Sequence, residues 1–131
     1  MTKEQLRNYQ HIAREKAQIE DMLRDVEEAM TAPRAQALDG MPHSQTVQGS
    51  LVETLVARRD ELVRRYQAKL DELATAMLEI ETAIEALEPV ERQLMRLRYI
   101  KGHTWEEICV ELSYSWRQTH RLHAKALEKL A

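Results

Sequence analysis

Apolar positions along the chain fall into two long rhythms followed by three short ones. From about residue 3 to residue 30 they recur every three or four places, at Tyr9, Ile12, Ile19, Leu23, Val26 and Met30, with Lys16 in the one polar slot. So narrow a stripe suits packing on one or two partner helices more than burial on all sides. No Pro or Gly interrupts Lys3 to Met30, so the spacing predicts one helix of about 28 residues, roughly 42 Å long. The rhythm then stops. Two of the three prolines and two of the three glycines fall between Thr31 and Ser50, including the run Leu38-Asp39-Gly40-Met41-Pro42, which predicts a loop over 31–49. Helices are usually joined by roughly 2–8 residues, and longer connections are disordered or functional.

A second long helix is expected from Ser50, where Ser50-Leu51-Val52-Glu53 has the form of a capping box. Leu51, Leu55, Leu62, Tyr66, Leu70, Leu73, Met77, Ile80, Ile84 and Leu87 then keep a mean period near 3.6. Pro89 ends it, because proline lacks an amide donor and drives Glu88 out of the helical region. Residues 1–88 are therefore expected to form an antiparallel, coiled-coil-like hairpin whose second helix outruns the first by about ten residues, roughly 15 Å. An uncovered stripe of that length predicts a homodimer or higher oligomer held by residues such as Leu55, Leu62, Leu73 and Ile80. By itself this body reads as a spacer or a dimerisation coil.

Three short helices follow, over residues 89–131. Pro89 opens the first at a position that tolerates a missing amide, and Lys101-Gly102-His103 closes it after Ile100. Thr104-Trp105-Glu106-Glu107 and Ser115-Trp116-Arg117-Gln118 are two further capping boxes, opening helices that run to Leu112 and to about Leu130. Only Ser113 and Tyr114 lie between those two helices. A helix of seven or eight residues, a tight turn and a longer helix is the layout of a helix-turn-helix. Its expected core is Leu94, Leu97, Ile100, Ile108, Leu112, Thr119, Leu122, Leu127 and Leu130, with the small Cys109 where the two helices cross.

Composition narrows the class. With no Phe, 5% aromatics, three glycines and 31% charged residues, the chain is an all-α protein rather than a β-sandwich or a Rossmann enzyme. The charge is unevenly spread. Residues 1–88 hold 11 Lys and Arg against 17 Asp and Glu, a balance of −6, whereas residues 89–131 hold 8 against 5, a balance of +3. On that count only the C-terminal end approaches a polyanion. Cys109 is the single cysteine, which suits a reducing cytoplasm. No apolar leader opens the sequence, and no stretch is long enough to span a membrane.

The segment Leu87-Glu88-Pro89-Val90-Glu91-Arg92-Gln93-Leu94-Met95-Arg96-Leu97-Arg98-Tyr99, with Thr104-Trp105-Glu106-Glu107-Ile108-Cys109 and Ala124-Lys125-Ala126-Leu127-Glu128-Lys129-Leu130, resembles region 4 of bacterial sigma factors over about a third of the chain. The whole chain, including Leu38-Asp39-Gly40-Met41-Pro42, is similar to small phage and prophage proteins with such a C-terminus, of the ArpU and RinA type of late-gene transcriptional regulator. Two positions depart from the pattern. Ser113 stands where glycine is usual, at a cost of order 1 kcal/mol for a left-handed turn residue, and Thr119 stands where Val or Ile is usual.

The resemblance implies that the last helix enters the major groove of double-stranded DNA, with Trp116, Arg117, Gln118, His120 and Arg121 near base edges. Arginine pairs bidentately with guanine and glutamine with adenine. Trp116 either stacks on a sugar or a thymine methyl or packs on a neighbouring helix. Lys101, His103, Thr104 and Lys125 are candidates for phosphate, which positions without specifying, although Lys125 and Lys129 also suit a solvated face. His120 and His123 lack a third ligand nearby, so no metal site is expected. No phosphate loop, nucleophile elbow or zinc motif is present, and no cofactor or catalytic residue is expected, so the chain does not read as an enzyme. The leading expectation is a phage-type transcriptional regulator, with a small-terminase-like packaging protein and an adaptor binding RNA polymerase or a sigma factor as the alternatives. A complete sigma factor is not expected. Residues 1–88 hold just two aromatics, Tyr9 and Tyr66, in acidic surroundings, which is poor ground for stacking single-stranded bases.

Overall fold

A computed structural model of the chain describes residues 1–31 and 44–131, the second stretch with its side chains from residue 49 onward. Every element among the described residues is helical: α1 (Lys3–Thr31), α2 (Ser44–Ile84), α3 (Pro89–Met95) with a π-helical extension (Arg96–Ile100), α4 (Trp105–Leu112) and α5 (Trp116–Leu130). None of these helices is long and apolar enough to cross a membrane. Part of the expected 31–49 loop, with the Leu38-Asp39-Gly40-Met41-Pro42 run, lies outside the described residues.

Two of the expected boundaries move. α2 begins at Ser44, not Ser50, so the Ser50-Leu51-Val52-Glu53 box lies inside a helix. The Ser50 carbonyl accepts the Thr54 hydroxyl at 2.9 Å within that helix. A capping box contributes about 1 kcal/mol locally, and continuing the helix through Gly49 costs about as much, so the motif does not by itself fix a start. At the other end α2 stops at Ile84. The Leu87 amide then donates to the Ile84 carbonyl at 3.0 Å, which makes a tight turn into α3.

The chain divides into two compact units, Glu15–Leu70 and Met1–Arg14 with Asp71–Ala131, a division that cuts across the expected 88/89 boundary. In the Glu15–Leu70 unit, α1 and α2 run antiparallel. Val26 packs with Leu55 and Leu62, and Ile19, Leu23 and Met30 line the seam. Polar pairs mark the register along it, with Lys69 to Glu15 at 2.7 Å and the Tyr66 hydroxyl to Glu20 at 3.4 Å. Leu55 and Leu62, and in the other unit Ile80, are buried inside the chain, each at most 8% exposed, while Leu73 is half-buried. The faces left to solvent are different ones: Val52, Val56 and Leu70 in this unit, and Met77 and Leu78 in the other.

The second unit builds a core from five pieces of sequence. Leu94, Met95, Leu97 and Tyr99 come from α3 and its extension, Ile108 from α4, Ala126 from α5 and Ile80 and Ile84 from α2. The fifth piece is Leu6, fully buried among them on the first turns of α1, with Tyr9 and Met1 beside it. Leu6 lies outside the apolar rhythm read from the sequence, which began at Tyr9. Burying a leucine side chain contributes about 1.5–3 kcal/mol.

A second tie from α1 serves the backbone. Where the helix widens into its π turn, the Lys101 amide donates to the Arg96 carbonyl at 2.9 Å. The carbonyls of Tyr99 and Ile100 at that end both accept the Gln10 side-chain amide, each at 2.9 Å. Gln10 therefore caps carbonyls that the helix itself cannot satisfy. Gly102 follows with φ of 71°, and a Cβ there would meet Gln10 Oε1 at 3.0 Å, so both the left-handed backbone and the approach of Gln10 require glycine.

Replacing Leu6 with Ala is expected to destabilise the protein by about 2–5 kcal/mol, although residue 6 lies far from the helix-turn-helix in sequence. Urea unfolding followed by Trp105 and Trp116 fluorescence tests this. A midpoint equal to that of the unmodified chain would show that α1 is not part of this core.

Candidate nucleic-acid interface

The turn between α4 and α5 sets the geometry of the candidate interface. Thr104 caps α4, its hydroxyl accepting the Glu107 amide at 3.2 Å and donating to the Glu107 carboxylate at 3.1 Å. Ser115 caps α5 in the same way, accepting the Gln118 amide at 3.1 Å, while Gln118 Oε1 accepts the Ser115 amide at 3.0 Å. Between them Ser113 takes the left-handed conformation, with φ of 56°, and its neighbour Tyr114 returns its amide to the Cys109 carbonyl at 3.1 Å. Serine fills the position that favours glycine, as the sequence implies. Thr119 is fully buried at the crossing. Its hydroxyl donates to the Ser115 carbonyl at 2.9 Å and accepts from the Cys109 thiol at 3.3 Å, which explains how a polar residue fits there without an orphaned group.

The outer side of the turn carries an aromatic run. The Trp105 ring lies 4.5 Å from His120, and His120 lies 4.4 Å from Trp116. The Arg98 guanidinium sits 4.6 Å above Trp105, in cation–π range. Trp116 keeps 53% of its surface exposed, and its ring contact is with His120 of its own helix. Beyond it, Arg117, Gln118 and Arg121 are exposed on α5, as are Lys101, Thr104 and Lys125 around it. Among the described residues, neither Arg117 nor Arg121 forms an ion pair. Two of the sequence-derived candidates are already engaged. Gln118 Oε1 and the Thr104 hydroxyl serve the caps, so a bidentate Gln118–adenine contact or a Thr104–phosphate contact has to displace a capping bond. His103 is half-buried and lies 4.0 Å from Glu107.

Behind the aromatic run lies a polar pair that sequence reasoning missed. His123 is buried, and its Nε2 is 2.7 Å from the Tyr99 hydroxyl. Burial is the main reason that its pKa falls to about 4, helped by Lys3, His120, Arg98 and Arg7. Burial also raises the Tyr99 phenol, so the proton stays on tyrosine, which donates to a neutral imidazole. Glu91, also buried, accepts from Lys129 at 2.7 Å and from the Glu88 amide at 3.0 Å. Burial pushes its carboxyl up, but these two donors outweigh it and leave the group below its usual value. A helical histidine three places from another resembles a ligand pair in sequence, and only the packed core shows it to be a neutral acceptor. Among the described residues, no three His, Cys, Asp or Glu side chains gather as metal ligands.

The depressed His123 pKa has a defined sign. The unfolded chain takes up this proton near pH 6.5 and the folded chain only near pH 4, so the contribution is whole above about 6.5 and is lost as pH falls toward 4. Melting temperature should therefore drop across that window, and the drop should shrink in His123→Gln. Parallel pH profiles for the two proteins would show that His123 is not the group responsible.

Residues 77–130 match the family described as Sigma-70, region 4, which begins earlier than the Leu87 suggested by the sequence and takes in the end of α2. No curated protein and no solved structure matches the chain. The capped α4, the left-handed Ser113, the buried crossing at Thr119 and the longer α5 lie inside the matched stretch. From residue 77 to residue 130 the chain carries a helix-turn-helix of the sigma-70 region 4 type.

Proposed function

We propose that this chain is a sequence-specific, double-stranded DNA-binding regulator of transcription, encoded by a phage or prophage, that reads its site through the first half of α5. The observation that carries this reading is the pair Arg117 and Arg121, exposed one helical turn apart on the outer face of a region 4-type helix-turn-helix, beside the half-exposed Trp116. Side chains in that position reach base edges when the second helix of the motif lies in the major groove. Lys101 and Lys125 hold phosphate on either side. The resemblance of the whole chain to late-gene regulators supports the phage assignment.

The same reading makes the chain a helper of polymerase rather than a complete sigma factor. Tyr9 and Tyr66 are both half-buried, one beside the core that contains Leu6 and the other hydrogen-bonded to Glu20. Neither offers a platform for an unstacked base. The protein binds duplex DNA near a promoter and acts on a polymerase that already carries its own sigma factor. It works as a homodimer, because one module offers few reading residues and two half-sites supply the rest. The apolar residues Val52, Val56 and Leu70, at least 39% exposed in the Glu15–Leu70 unit, are the surface on which the copies meet.

Two measurements test these statements. With a site selected from random DNA, Arg117→Ala or Arg121→Ala should each weaken specific binding by about 1–3 kcal/mol and leave nonspecific binding nearly intact. Equal specific affinity in the double variant, at matched salt, would remove α5 from the interface. Sedimentation of the full chain at tens of micromolar should show an oligomer that Val56→Asp with Leu70→Asp converts to monomer. A wild-type monomer at that concentration would rule out the dimer.

A further inference from the structure

The net −6 of residues 1–88 conceals a basic face. The first 14 residues hold Lys3, Arg7 and Arg14 against Glu4 alone. Lys3, Arg7, His11 and Arg14 follow one another at spacings of four, four and three, which sets them on one face of α1. Arg7, His11 and Arg14 line an open cleft of ≈ 370 Å³ whose other wall is Arg98, Tyr99 and Gly102, with Gln10 between the two. No carboxylate lines this cleft. Among the described residues, none of Lys3, Arg7 and Arg14 has an ion-pair partner, so three cations face solvent uncompensated.

The cleft is continuous with the recognition helix. Arg98 donates to the His103 carbonyl at 3.0 Å, which holds its guanidinium over Trp105. Trp105 touches His120, and His120 touches Trp116 at the start of α5. The positive field also reaches inward, since Lys3, Arg98 and Arg7 all add to the effect of burial in lowering the His123 pKa. All these residues belong to one compact unit. Arg7 and Arg14 are two helical turns apart, about 10 Å, which matches the axial rise of about three phosphates on one DNA strand.

We propose that this face of α1, with Arg98, is a phosphate-binding track that grips the backbone of the same duplex whose bases α5 reads. The proposal rests on the function given above and adds to it a part of the chain outside the matched residues 77–130. Guanidinium groups suit the task because their planar forks pair with phosphate oxygens bidentately. The track reads no sequence. It lengthens the footprint and fixes the angle at which α5 enters the groove.

The test uses the full chain, fluorescein-labelled 40-base-pair duplexes carrying either a selected site or random sequence, and anisotropy titrations from 50 to 300 mM KCl. Each phosphate that the protein no longer neutralises should lower the slope of log affinity against log salt by about 0.9. Arg7→Ala with Arg14→Ala should therefore reduce the slope by about 2 and weaken binding about tenfold or more at 50 mM KCl. The loss should be equal on both duplexes, unlike the site-specific loss expected for Arg117 and Arg121. Both residues are exposed, so the variant should melt at the wild-type temperature, and Arg7→Lys with Arg14→Lys should keep most of the slope. Wild-type binding with an unchanged slope in the alanine variant would overturn the track while leaving the DNA-binding function in place. The track would equally fall if that variant bound duplex normally but lost retention on a polyglutamate resin, because the cleft would then take an acidic protein. A wild-type chain that bound neither duplex would remove the function and the track together.

Discussion

A three-helix module of this size has too little apolar surface to close a core by itself, and here the missing piece is Leu6, supplied by the first turns of α1. The packing of the helix-turn-helix depends on that closure. Ile108 and Leu94 are fully buried because Leu6 and the end of α2 cover them. Gln10, one turn further along α1, caps the carbonyls at the π turn. The π turn in turn positions Arg98 under the His103 carbonyl and over Trp105. The aromatic run at the start of α5 therefore rests on a helix that the family match does not include.

Electrostatics follow the same plan at shorter range. The interior carries two polar pairs, Tyr99 with His123 and Glu91 with Lys129, each of which joins elements distant in sequence. Both are arranged so that a buried group keeps a single protonation state at neutral pH, with the histidine neutral and the glutamate charged. A buried polar group without a partner is costly, so these pairs favour one packing of α5 on α3 over its alternatives. Net charge per segment is a blunt guide beside this. The stretch that sums to −6 also contains Lys3, Arg7 and Arg14 on one face, and only the helix geometry shows them together.

The features legible in the sequence were the local ones. Pro89, the boxes at Thr104 and Ser115, and the strained Ser113 are signals that act within four residues, and the helices begin and turn where those signals stand. The capping box at Ser50 has the same form yet lies inside α2, because a preference of about 1 kcal/mol gives way when the helix can continue on both sides. Long-range features were illegible. Leu6 extends the spacing of its own helix by one step of three before Tyr9, but that spacing does not say that the C-terminal helices bury it, and Gln10 is an ordinary polar residue until the Tyr99 and Ile100 carbonyls are seen beside it. His123 gave no sign of its buried partner, the Tyr99 hydroxyl. Of the residues expected to hold a second copy, Leu55 and Leu62 are consumed by the hairpin and Ile80 by the core around Leu6, while Leu73 is half-buried, because a periodic stripe does not say which helix covers it. Among the candidate DNA contacts, Arg117, Arg121, Lys101 and Lys125 stand exposed as the motif implies, while Gln118 and Thr104 serve two roles that the sequence could not rank.

The bond from Gln10 to the Tyr99 carbonyl joins residues 89 positions apart, and that separation bears on the order of events in folding. The chain must close a loop of that length before Leu6 and its partners gain anything from contact. A ribosome releases the first turns of α1 long before it has made α4 and α5. The early segment must therefore wait, paired or not with α2, until the last residues emerge. A helix-turn-helix whose core is completed only by a segment so far upstream is one that a chain ending before α5 cannot assemble.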